Sequence, residues 1–311
     1  MNAFRPYWML VKREVWEHKS FWIVPIVVAC IAVLVNLYAA GSLIVAVHQG
    51  VLSISNLNIT SESDARTGLH TVMLMLFGFF NIVMLFTVWF YLMDSLYADR
   101  KDRSVLFWKS MPISDTSTVL SKLFTGMVTA PALMLVMVVI TEIVVGIIFI
   151  IAAATVGINL LHVAFYPGTI ILTWGVMAFA LIQQSLWLLP YWGWFLLCSA
   201  WAKKVVLAWV ALIPLGAMLI ELVVFRTHYL SEAIIGHIGR GVKVVGGFVI
   251  NGQHAELTEM HGGIFGPAGD QVYSFGLVAH MFALPEMWIG VGIGSIFILG
   301  AIWLRRNRSE I

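Results

Sequence analysis

Long apolar runs alternate with short polar breaks along this chain. A bilayer core of about 30 Å takes about 20 helical residues. Six stretches meet that length: 21–47, 69–93, 123–153, 169–199, 205–225 and 283–304. They predict an all-α integral membrane protein with six transmembrane helices, because a helix satisfies its own backbone groups where no water can. Two stretches do not fit a simple crossing. Between Lys122 and Pro167 the apolar residues exceed one span and include Glu142, Gly146 and Gly157. Either the third helix overshoots, or its outer part folds back as a re-entrant or interfacial helix. Pro190 falls inside the fourth run, before Tyr191, Trp192 and Trp194, and predicts a kink there.

The polar breaks divide the chain further. Residues 1–20 include "AFRPYWMLVKREVWEHKS", in which Phe4, Trp8, Leu10, Val11 and Val15 recur at near-helical spacing against Lys12, Arg13, Glu14, Glu17 and Lys19. This predicts an amphipathic helix lying on a membrane surface, with Trp8 and Trp16 as interfacial anchors. Residues 21–311 form the six-span domain. Its two larger outer segments are 48–69 and a sizeable loop, 226–282, before the last helix. That loop contains "GRGVKVVGGFVINGQH", whose alternation and Asn-Gly pair suggest a small hairpin.

Composition agrees with this picture. Hydrophobic residues make up 60% of the 311-residue chain and charged residues 11%, against about 25% charged in soluble domains. Mean hydropathy is +0.93. A water-soluble fold has no interior large enough for this. The net charge of +2 gives no reason to expect nucleic acid as a partner. The positions of the basic residues are more informative. With both termini on the cytoplasmic side, 14 of the 18 Lys and Arg fall on that side, as the positive-inside tendency requires. The expected location is a bacterial-type cytoplasmic (inner) membrane. Cys30 and Cys198 sit in apolar runs and read as small fillers. The first run is too long, and begins too late, for a cleavable signal, so it reads as a retained anchor.

Candidate chemistry is sparse. There is no G-x-x-x-x-G-K-[ST] phosphate loop, no H-E-x-x-H and no C-x-x-C. The chain itself is therefore not expected to be an enzyme, or to hold a cofactor or a metal. Eight of nine histidines fall on the outer side, and "HAELTEMH" (254–261) mixes them with glutamates, but the spacing fits no metal motif and they read as solvated loop residues. Among polar residues at membrane depth, Asn81, Gln183 and Gln184 are candidates for a substrate path or, equally, for hydrogen bonds between helices. Glu142 is a further pathway candidate, although its distance from Lys122 also suits the outer boundary. Glu221 lies near the outer end of its span.

One polar break is out of proportion. "ADRKDRSVLFWKSMPISD" (98–115) packs Asp99, Arg100, Lys101, Asp102 and Arg103 together, then Phe107, Trp108 and Pro112. The segment 94–122 is longer than a hairpin between neighbouring spans needs. It predicts a helix from Ser95 to Trp108, a break at Pro112, and a restart capped by Ser114 or Asp115. Leu106, Met111, Pro112, Ile113, Ser114, Lys122 and Leu123 resemble the pattern in the first cytoplasmic loop of ABC-2-type transporter permeases, with Met111 in place of the more usual leucine. The six-span layout with an N-terminal amphipathic helix is similar too.

The resemblance implies a transmembrane subunit of an ABC exporter. It implies a partnership with a separate ABC ATPase, two copies of which bind ATP and Mg, and with a second permease copy, as a homodimer. The loop would then be a coupling helix, with Asp99, Arg100, Arg103, Phe107, Trp108 and Pro112 as ATPase contacts and Trp108 as the main anchor. "SAWAKK" (199–204) would offer a smaller contact. An apolar, aromatic-rich set of spans suits an amphipathic cargo such as a lipid, a peptide or a drug-like molecule. Two other classes remain open: an ABC membrane subunit that transmits force or recruits partners through its outer loop without transport, and a membrane enzyme acting on lipids.

Overall fold

The computed structural model describes residues 4–50, 62–102, 113–158, 167–246 and 275–307. Every regular element among them is a helix. In chain order these are α1 (Phe4–Glu17), α2 (Ser20–His48), α3 (Glu62–Lys101), α4 (Asp115–Phe124), α5 (Ala130–Thr155), α6 (Pro167–Trp187), α7 (Leu189–Trp201), α8 (Val206–Ile220), α9 (Tyr229–Gly246), α10 (Phe275–Ala283) and α11 (Pro285–Asn307). Single π-helical turns at Thr125–Thr129 and Glu221–Phe225 continue α4 into α5 and extend α8. Six helical stretches among the described residues are long and apolar enough to cross a membrane: Ser20–His48, Val72–Lys101, Asp115–Thr155, Ile170–Trp187, Val206–Phe225 and Pro285–Asn307.

The third crossing settles one open point. Asp115–Thr155 is a single helical run of 41 residues, so it overshoots rather than folding back before Thr155. The chain turns at Gly157, whose φ of 83° suits a residue without Cβ. The predicted break at Pro190 is present: α6 ends at Trp187 and α7 starts at Leu189. Ser114 caps α4, its hydroxyl accepting from the Ser117 amide at 3.1 Å. The expected hairpin is corrected over its first part. Residues 239–246 belong to α9, because the same glycines and valines also fit a helical face. The Asn251-Gly252 pair lies outside the described residues.

Two helices pack closely through missing side chains. A Cβ on Gly193 of α7 would stand 2.6 Å from the Gly294 carbonyl of α11, and a Cβ on Gly294 would stand 2.7 Å from the Leu189 carbonyl. Such small-residue contacts bring helices together where no hydrophobic effect separates protein from lipid. α3 reaches α7 through the stacked rings of Trp89 and Phe195, 5.3 Å apart. α2 and α8 lie at the periphery, with large apolar side chains such as Leu34, Tyr38, Leu212 and Val223 exposed.

Prolines inside the crossings leave carbonyls without their usual amide donor. At Pro131 and Pro214 neighbouring helices supply replacements. Pro131 cannot bond the Met127 carbonyl, and the Ser185 hydroxyl donates to it at 2.8 Å. Pro214 cannot bond the Val210 carbonyl, and the Trp194 indole donates to it at 3.2 Å. At the Pro190 break the Tyr191 amide turns to Leu188, and the Trp187 carbonyl meets His237 Nε2 at 2.8 Å. In lipid each orphan would be costly, so these bonds fix where α6, α7 and α9 sit.

Candidate functional site

The end of the bundle that carries α1 and the C-terminus of α11 holds a buried charge joint. Glu14 lies on the same face of α1 as Leu10 and Val11, one turn further on, and is 2% exposed. This corrects the reading of α1 as a helix with Glu14 on its polar face. The carboxylate meets Lys122 Nζ of α4 at 3.0 Å and accepts from the Tyr91 hydroxyl at 2.9 Å. Lys122, itself 2% exposed, also reaches Asp99 of α3 at 3.4 Å. Arg305 of α11 completes the chain, pairing with Asp99 at 3.1 Å and with Asp115 of α4 at 3.1 Å. Two cations thus sit among three carboxylates and tie four helices together. Buried charges are tolerated when paired this closely, and removing one partner strands the rest.

Arg100 extends the joint sideways. Its guanidinium donates to the carbonyls of Ser199 and Ala202, the latter at 2.8 Å. The Ser199 hydroxyl in turn accepts from the amides of Leu96 and Tyr97 at 3.1 and 3.0 Å. A cation at the C-terminus of α7 satisfies carbonyls that helix geometry leaves open. Of the expected ATPase contacts, then, Asp99 and Arg100 bond into the bundle. Arg103, Phe107, Trp108 and Pro112 lie outside the described residues, as do the histidines of 254–261. Among the described residues no group of three His, Cys, Asp or Glu is placed to hold a metal.

The pathway candidates go to separate places. Asn81 and Gln184 form a reciprocal amide pair between α3 and α6, at 2.9 and 3.1 Å, and both are buried. Gln183 is fully buried, and neither of its amide atoms has a hydrogen-bond partner among the described residues. Glu142 is buried and accepts from the Trp174 indole at 2.7 Å. Glu221 caps α9, accepting from the Leu230 amide at 2.9 Å and the Thr227 hydroxyl at 3.0 Å.

The open space is elsewhere. A groove of about 880 Å³ runs between the start of α2, the C-terminal half of α3 and the start of α8. Its α3 wall carries Phe86, Phe90, Asp94 and Tyr97, spaced four, four and three residues apart, so they form one stripe. His18 and Val205 contribute to the other walls. Burial holds the His18 imidazole below its ordinary pKa, while Glu14 pulls it upward. None of Asn81, Gln183, Gln184 or Glu142 lines this groove. Its stripe was readable in the sequence, but the denser charges of 98–115 overshadow it.

Comparison with known protein families, curated proteins and solved structures finds no match to this chain.

Proposed function

We propose that this protein is the transmembrane permease subunit of an ABC-2-type exporter, moving an amphipathic substrate with energy from a separate ATPase subunit. In this reading both termini and the charge joint face the cytoplasm, two copies of the chain pair in the inner membrane, and two ATPase subunits bind beneath them. One observation supports it above the others. The segment 103–112 emerges between α3 and α4, and the facing ends of these two helices are bonded through Asp99, Lys122, Asp115 and Arg305 to each other and to α1 and α11. A push on that segment would move α1, α3, α4 and α11 as one body. A loop serving only to set topology would not need such a mounting. The groove beside α3 favours transport over a subunit that only transmits force, since it offers an amphipathic molecule a place to sit.

The test is copurification of the protein with its ATPase from membranes, comparing wild type with Trp108→Ala plus Arg103→Glu. The expected result is a complex whose ATPase activity the double variant uncouples or whose ATPase it releases. Absence of an associated ATPase, or an unaffected complex, would remove the proposal's main support.

A further inference from the structure

We infer that the groove between α2, α3 and α8 binds amphipathic cations, with the cationic head at Asp94 and the apolar tail along Phe90 and Phe86. The inference rests on the permease reading and narrows its substrate class. Asp94 is exposed, lines the groove, and forms no hydrogen bond or ion pair among the described residues. No lysine or arginine lines the groove. Arg100 lies over the Tyr97 ring at 6.0 Å but is turned to the Ser199 and Ala202 carbonyls. The His18 imidazole is held below its ordinary pKa chiefly by burial, with Glu14 and Asp94 among the carboxylates that pull it upward, and Asp94 is the one carboxylate in the groove's lining.

The surroundings of Asp94 suit an organic cation better than a metal or a bare proton. Phe90 lies one turn before it and Tyr97 one turn after it, on the same face of α3. Aromatic faces attract ammonium groups and tolerate alkyl chains. Phe86 and Phe90 are half exposed at the mouth of the groove, where a tail would lie. A metal ion would need further oxygen, nitrogen or sulfur ligands close by, and among the described residues no such cluster is present. The stripe thus provides a charged end and an oily end, in the order a headgroup and tail would present.

The experiment uses the full chain in phosphatidylcholine nanodiscs, without any ATPase, so that its outcome is independent of the coupling test. Radiolabelled dodecyltrimethylammonium is counted against empty nanodiscs, with dodecyl maltoside as the uncharged competitor. Wild type is expected to show saturable binding that the maltoside does not displace. Asp94→Asn is expected to weaken it about tenfold, the scale of losing one ion pair at a partly desolvated surface, and Asp94→Glu to keep it. Phe90→Leu, which keeps the oily surface, is expected to cost about threefold. Asp102→Asn, exposed and outside the groove, is expected to change nothing. The inference is overturned if wild type shows no saturable binding, if Asp94→Asn binds as well as wild type, or if the maltoside competes equally.

Discussion

Asp94 and Asp99 stand five residues apart on the same helix and have opposite fates. Five residues turn a helix by about 500°, so the two carboxylates point roughly 140° apart. Asp99 is 7% exposed and held by Lys122 and Arg305. Asp94 is exposed in a groove with no ionic partner among the described residues. The first is part of the architecture, because a carboxylate taken out of water must be matched there and then. The second keeps its hydration and stays open to something that arrives. Residue type alone does not distinguish a structural acid from a functional one; the face of the helix does.

The largest way to break this comparison is at Lys122. Lys122→Met removes the cation shared by Glu14 and Asp99 and leaves Glu14 buried with, among the described residues, the Tyr91 hydroxyl and the His18 ring beside it. A loss of about 3–5 kcal/mol is expected, the range for stranding a buried charge. It would be read as a fall in thermal stability in nanodiscs and in the yield of monodisperse protein. The double change Lys122→Met with Glu14→Leu tests the cause. It leaves Asp99 to Arg305 and should recover most of the loss, since well-packed apolar replacements of buried pairs are often neutral. If the single variant is as stable as wild type, the joint does not hold the helices together.

Ser185→Ala gives a smaller effect and sharpens the comparison by removing a neutral group instead. It takes away the hydroxyl that donates to the Met127 carbonyl freed by Pro131. A loss of about 1 kcal/mol is expected, as for hydrogen bonds between membrane helices. Adding Pro131→Ala should restore the helical amide donor and erase most of the deficit in the same thermal measurement. A deficit that survives Pro131→Ala would mean that Ser185 acts through packing.

These cases also show what could be read from the chain and what could not. Length and hydropathy place the six crossings, and local chemistry places the Ser114 cap and the Pro190 break, because each depends on residues near in sequence. Lys122 reads as one more basic residue at a span's end, yet it is buried against Glu14, 108 residues away. Nothing local announces that pairing, although Glu14 sharing a face with Leu10 and Val11 is a usable hint. Glycines misled in the other direction. The run around Gly239 and Gly241 alternates like a strand, but α9 needs Gly241 small: a Cβ there would collide with the Trp187 ring, whereas one on Gly239 would meet open space. Trp187 also donates to the His237 carbonyl, and the two rings stack 4.6 Å apart. The sequence supplies such partners without saying which helix will meet them.

Asp94→Asn should have the smallest effect on stability. Its carboxylate has no bond to lose among the described residues and lines an open groove, so thermal stability should stay within about 0.5 kcal/mol of wild type, the ordinary range for surface positions. Asp99→Asn, measured beside it, should cost several times more, because it leaves Arg305 with Asp115 alone and Lys122 with Glu14 alone. The pair of substitutions is chemically identical and differs only in helix face, so the ratio of the two losses measures how far burial decides a carboxylate's role. A similar loss at both positions would show that Asp94 is bonded in the folded protein, and the groove would then lack the free charge on which cation binding depends.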